Sequence, residues 1–182
     1  MYSPPVDLSF KNIINVSVSE SLSVVPRAGL RPLKTNSEGK HLSRSLRLNN
    51  NYITELDGLQ FMLSHFLAQP SNLGWLDLSF NKIKLVEPVL CELRGLRVLY
   101  FHANSIWNLS EVDKLGELPH LHTITLHGNG IEQHKGYRKH VIFALPHLKT
   151  MDFSGVTREE RALANVWHQC MKRRKDTKEN LQ

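Results

Sequence analysis

Four stretches of this chain obey one spacing rule. Ser43–Ile53 (SRSLRLNNNYI), Leu73–Ile83 (LGWLDLSFNKI), Leu96–Ile106 (LRVLYFHANSI) and Leu121–Ile131 (LHTITLHGNGI) fit L-x-x-L-x-L-x-x-N-x-I, with Ser43 replacing the first Leu and Phe101 or Ile124 another. In each, two apolar residues flank a variable one: Leu46-x-Leu48, Leu76-x-Leu78, Leu99-x-Phe101 and Ile124-x-Leu126. That alternation sends both apolar side chains to one face of a short strand and the middle residue to the other. Three residues on, where the chain must turn, stands Asn51, Asn81, Asn104 or Asn129. A buried amide carries donor and acceptor, so it can pair stranded backbone groups and bridge to the next coil. Ile53, Ile83, Ile106 and Ile131 then return to the core.

One such unit cannot bury its own apolar edge, whereas about three or more stacked units can. The Asn-to-Asn steps are 30, 23 and 25 residues. The longer first step holds Leu59–Ala68, with Leu59, Met62, Leu63, Phe66 and Leu67 at helical spacing. Leu109, Val112, Leu115 and Leu118 form a shorter convex segment, and Tyr137–Leu145 reads as a helix ended by Pro146. Leu148–Phe153 repeats the start of the ruler, but Val156 stands where Asn belongs, so a fifth strand forms and the repeat exits. Thr157 and Glu160 make a capping box for a helix running to about Lys172. Its Leu163, Val166, Trp167, Cys170 and Met171 form an apolar stripe suited to sealing the last coil. The pattern resembles the leucine-rich repeat. The expected fold is α/β: a leucine-rich repeat solenoid with a parallel sheet of about five strands, convex helices and a C-terminal helical cap.

The chain divides into an extended, partly disordered arm (1–41), the repeat domain with its cap (42–171) and a basic tail (172–182). In the arm, either Asp7-Leu8-Ser9-Phe10 or Pro26–Leu33 could cover the first repeat's open edge, and Leu30–Leu33 is the better apolar candidate. No window nears the ~18 consecutive apolar residues of a membrane span. The N-terminus has neither the basic nor the apolar region of a secretory signal. Two cysteines, Cys91 and Cys170, cannot build disulfide-rich caps, so a reduced, cytoplasmic setting is expected. The net charge is +6, yet residues 42–170 hold 13 Lys/Arg against 12 Asp/Glu. With the basic excess in the two ends, a nucleic-acid partner is not expected. The run Lys172-Arg173-Arg174-Lys175 reads as a solvated tail, a localisation signal or a contact for an acidic partner.

The residues between the core leucines line the concave face. Trp75 and Tyr100 on adjacent strands, with Arg47, Asp77, His102, Thr125 and His127 around them, have the composition of a partner-binding surface. They could also be packing across strands. Ten histidines raise the question of metal, but His102 and His127 make a pair without further ligands, so no metal or other cofactor is expected. Ser79, His102 and Asp77 share this face, but a flat sheet offers no water-excluding pocket and no oxyanion donors, so an enzyme or a small-molecule substrate is not expected.

Residues 137–167 resemble the cap of the intracellular leucine-rich repeat family. That group includes outer-arm dynein light chain 1, a phosphatase-regulating leucine-rich subunit and the spliceosomal leucine-rich A-prime protein. The matching residues are Tyr137-Arg138, Leu145-Pro146-His147-Leu148, Met151-Asp152, Val156-Thr157 and Glu160-Arg161, with Trp167 in the helix that follows. The segments GLRPLK (29–34), LRLNNN (46–51), WLDLSFN (75–81), VLYFHANSI (98–106), TLHGN (125–129), KGYR (135–138) and DFSGVT (152–157) resemble one small member of that family more closely. The resemblance implies a cytoplasmic scaffold with no catalytic residues and a protein partner, axonemal or cytoskeletal in a cilium or flagellum. The alternative it implies is a regulatory or adaptor subunit of a phosphatase or RNA-processing complex.

Overall fold

The period-two alternation yields strands of two or three residues, each followed by a tight bend at its Asn. The computed structural model describes residues 4–17, 22–24 and 32–179. In chain order the elements are β1 (Val6–Asp7), β2 (Ser45–Arg47), α1 (Leu59–Phe66), β3 (Trp75–Asp77), α2 (Pro88–Cys91), β4 (Val98–Tyr100), β5 (Thr123–Thr125), α3 (Tyr137–Ala144), β6 (Thr150–Met151), β7 (Ser154–Gly155) and α4 (Arg158–Glu179). Turns of 3₁₀ helix at Pro70–Asn72, Leu109–Glu117 and Gly130–Gln133 complete the convex side. The strands form one sheet in sequence order, parallel except for the last pair, β6 with β7. Leu46, Leu76, Leu99, Ile124 and Met151 share one register and form a buried column. Burying each such side chain contributes roughly 1.5–3 kcal/mol.

The sheet has seven strands where about five were expected. One extra strand, β7, arises because Asp152 and Phe153 both take positive φ (48° and 60°) and fold β6 and β7 into a two-residue hairpin. The other, β1, comes from the N-terminal arm. Val6-Asp7-Leu8-Ser9-Phe10-Lys11-Asn12-Ile13 is the ruler again, matching Leu76–Ile83 (LDLSFNKI) with its Asn and Lys exchanged. Val6 pairs with Leu46, and Leu8, Ile13 and Val16 are buried. The open edge of β2 is therefore covered by residues 6–13. Leu33 packs partly buried against the core, and Leu30 lies outside the described residues.

The asparagines bridge backward, to the preceding coil. Asn81 Oδ1 accepts from the Ile53 amide (3.0 Å), while Nδ2 donates to Leu48 O and Leu78 O, both at 3.0 Å. Asn104 serves Ile83, Leu78 and Phe101 in the same way, and Asn129 serves Ile106, Phe101 and Leu126. Asn51 reaches the arm, accepting from Lys11 and Ile13 and donating to Leu8 O. Lys11 can stand at the Asn position because no described coil precedes it.

The cap is built on polar groups. Thr157 and Glu160 form the reciprocal box, with Thr157 N donating to Glu160 Oε2 (2.9 Å) and Glu160 N to Thr157 Oγ1 (3.1 Å). Arg138 pairs with Glu160 at 2.7 Å and holds that carboxyl below its usual range. Arg138 also donates to Met151 O and Gly155 O, and Arg161 to Leu148 O (2.6 Å) and Ile142 O. Trp167 lies against Gly136, where any Cβ would come within 2.5 Å of the indole and φ is +92°. Of the expected apolar stripe, Trp167 packs on the last coil and the other four residues do not. The last coil's carbonyls need donors, so α4 turns its Arg161 and Ala164 face inward and leaves Leu163 58% and Val166 57% exposed, with Cys170 and Met171 also outside. The helix runs on past Lys172 to Glu179, through a run of good helix formers without Gly or Pro.

Because the Asn81 amide makes bonds that no neighbour can replace, Asn81→Ala should cost about 3 kcal/mol of unfolding free energy. Urea denaturation measures it, and an unmoved midpoint would show that the ladder adds no stability.

Candidate protein-interaction face

Three rows of side chains cross the concave face, each set by strand register. The first is Ser45, Trp75, Val98, Thr123 and Thr150. The second is Asp7, Arg47, Asp77, Tyr100 and Thr125. The third, Asn49, Ser79, His102 and His127, follows from the amides of Asn50, Phe80 and Ala103 bonding to Ser79 O, His102 O and His127 O.

Trp75 and Tyr100 sit diagonally on β3 and β4, and their rings meet edge to face at 5.5 Å. His102 and His127 stack in parallel at 4.6 Å. Arg47 lies over the Trp75 ring at 5.4 Å, between Asp7 (3.6 Å) and Asp77 (3.8 Å). Two residues expected to meet a partner are instead buried: Asp77 and Thr125. Asp77 Oδ1 accepts from both the amide (3.0 Å) and the hydroxyl (2.6 Å) of Ser79, and Thr125 Oγ1 is 2.7 Å from His102 Nδ1. They position their neighbours, among them half-buried Arg47 and His102, rather than present themselves. The same bonds direct the Ser79 hydroxyl to a carboxylate and the His102 ring to Thr125, so Ser79 and His102 do not form a nucleophile–base pair.

The cap residues join this face at its C-terminal end. Asp152 Oδ1 accepts from the Leu126 and His127 amides (2.7 and 3.0 Å) and lies 3.2 Å from His127 Nδ1, while Tyr137 donates to Oδ2 at 2.8 Å. Burial, reinforced by Asp152, raises the Tyr137 phenol far above its ordinary pKa.

Phe80 and Phe153 were not singled out from the sequence. Phe153 is 64% exposed at the hairpin tip, with its ring 5.7 Å from Tyr100 and from His127 and 6.0 Å from His102. Phe80 is 52% exposed and 5.2 Å from His102. Both have positive φ, a region in which bulky residues are strained by about 1–2 kcal/mol. At the ruler position of Phe80 the other rungs carry Phe10, Asn50, Ala103 and Gly128, all with positive φ. Only the Asn and Gly are types this backbone favours. For Phe80 the signal was legible as an aromatic just before the ruler's Asn. Among the described residues no group of three or more His, Cys, Asp or Glu is placed to hold a metal ion.

The chain belongs to the leucine-rich repeat family, whose profile matches residues 44–180. It is similar to leucine-rich repeat-containing protein 51: 47% identical to that of Homo sapiens and 49% to that of Bos taurus, over 164 residues, 90% of this chain and 84% of each relative. Leucine-rich repeat-containing protein 23 of Homo sapiens is 30% identical over 129 residues, 71% of this chain and 35% of that protein. A chain of the Drosophila melanogaster SNF/U2A′ complex has the same fold (TM-score 0.67, 20% identity, 95% of this chain and 86% of that one).

His102 is held below the usual imidazole pKa, first by burial and then by His127, with Asp77 and Asp152 opposing. Its folded pKa is therefore lower than its unfolded one, so the unfolded chain binds the proton first as pH falls. Stability present above about pH 6.5 should decline as pH drops through the folded pKa. His102→Gln should flatten that decline in urea midpoints taken from pH 7.5 to about 5. An identical slope in the variant would remove His102 from the account.

Proposed function

We propose that the protein is a non-enzymatic scaffold that grips a segment of a partner polypeptide along its concave face. The observation that carries this reading is the aromatic patch of half-buried Trp75 and Tyr100 with exposed Phe153 and Phe80 around the His102–His127 stack. Aromatics gathered in one place, two of them exposed and on strained backbone, are costly unless a partner covers them. Fold and family support a binding role, since a solenoid offers a long concave surface for another chain. The setting we propose is cytoplasmic, with the partner an axonemal component of a cilium or flagellum. The cap's likeness to that of outer-arm dynein light chain 1 supports this. The rival setting, an adaptor of a phosphatase or RNA-processing complex, draws on the same cap.

Proximity labelling in ciliated cells, with wild type and a Trp75→Ala/Tyr100→Ala/Phe153→Ala variant, tests both parts. Wild type should enrich axonemal proteins at least about tenfold over the variant, with the circular dichroism of the two alike. Equal labelling by both would reject the concave face as the docking surface. Splicing or phosphatase proteins in place of axonemal ones would reject the ciliary setting.

A further inference from the structure

One row of the solenoid has a gap. The residues just before the strands are Arg44, Gly74, Arg97, His122 and Lys149 on successive rungs, linked carbonyl to amide. Arg44 O accepts from the Gly74 and Trp75 amides, Gly74 O from Arg97 and Val98, Arg97 O from His122 and Thr123, and His122 O from Lys149 and Thr150. The row forms one lip of the concave face and spans about 19 Å at ~4.8 Å per rung. Arg44, Arg97 and Lys149 are exposed. Lys149 and Arg97, after burial, hold His122 below its ordinary pKa, which places their charges together.

Gly74 interrupts this row at a position where a Cβ fits. Its φ is not positive, and a Cβ there would meet nothing nearer than 3.9 Å, from Arg44 O and Gly95 O. The missing side chain instead leaves a pocket of about 400 Å³ beside Trp75, Val98, Arg47 and His122. The pocket wall is mainly apolar, and the Arg47 guanidinium at its side is flanked by Asp7 and Asp77 at 3.6 and 3.8 Å.

We propose that this pocket is a specificity site for an acidic segment of a partner polypeptide. One apolar side chain enters the space beside Gly74, between Trp75 and Val98. Carboxylates of the same segment lie along the exposed cations Arg44, Arg97 and Lys149. An anchor in a pocket flanked by complementary charge is the arrangement that concentrates binding energy and selects partners. A nucleic-acid strand fits less well, because the pocket is apolar and Asp7 and Asp77 stand one row inside the lip, where a phosphate backbone would cross. The inference rests on the concave face being a polypeptide-docking surface, and adds which residues choose the ligand.

The test is fluorescence anisotropy with the full chain and labelled peptides of about twelve residues, Asp/Glu-rich around one central Leu, Phe or Trp. Control sets carry Ala at the centre, or Lys/Arg in place of Asp/Glu, and labelled oligouridine is run beside them. The acidic, anchored peptides should bind, and the Ala set at least about tenfold more weakly. Gly74→Val should lose a similar factor with an unchanged urea midpoint. Arg97→Glu/Lys149→Glu, altering exposed residues only, should do so independently of any packing change. Binding lost in Tyr100→Ala/Phe153→Ala but unmoved by Gly74→Val and by the charge reversal overturns this inference and leaves the concave-face reading standing. Binding unmoved by all three variants overturns both. Preference for basic peptides or for oligouridine, or no peptide binding up to about 1 mM, overturns the pocket assignment.

Discussion

Backbone groups stranded at the bend after each strand must find partners inside the protein, and one amide per coil supplies them. Asn81, Asn104 and Asn129 each accept from one amide of the preceding coil and Asn51 from two, and all four donate to one carbonyl of the preceding coil and one of their own. A buried backbone group without a partner costs about as much as the bond it lacks. The ladder therefore constrains the whole architecture. It sets the spacing between coils, keeps the strands in register and turns the variable residues toward one face. Trp75, Tyr100 and His102 converge because of bonds made on the far side of their own backbone.

The coils without such an amide show what the ladder does. The first rung has Lys11 at that position and is held by its neighbour's Asn51. The last rung has no Asn, and a carboxylate and two guanidinium groups take over. Asp152 caps the amides after β5, while Arg138 and Arg161 serve the carbonyls of Leu148, Met151 and Gly155. This substitution explains why α4 turns its Arg161–Ala164 face to the core. It also explains why Tyr137 and Asp152, which belong to the cap, help to hold His127.

The repeats, their Asn bonds, the convex helix at Leu59–Phe66 and the capping box were legible because each depends on local spacing alone. The failures came where distant groups decide. The β1 segment was read as one of two covers for the open edge but not as a repeat, because Lys11 and Asn12 stand in exchanged order and some thirty residues separate it from the next coil. The outward roll of Leu163 and Val166 follows from carbonyls at Leu148 and Ile142, which apolar periodicity does not register. Of the concave residues, the central pair Trp75 and Tyr100 was readable by alternation. Phe153 was not, since a hairpin at Asp152-Phe153 carries it back over β4 and β5. The burial of Asp77 and Thr125 depends on how neighbouring side chains lean, which spacing does not reveal.

The outermost position of β1 has one more consequence. Pro4 and Pro5 immediately precede it, and the carbonyl of Pro4 is already engaged by the Ser43 hydroxyl at 2.7 Å. Two consecutive residues without an N–H remove two backbone donors that a neighbouring strand could use at that rim. At the opposite rim the hairpin runs antiparallel and is only two residues long, which is too short a template for continued stacking. The geometry that lets coils add to one another within the chain is thus blunted at both extremities, and it favours a discrete particle over an open-ended fibre.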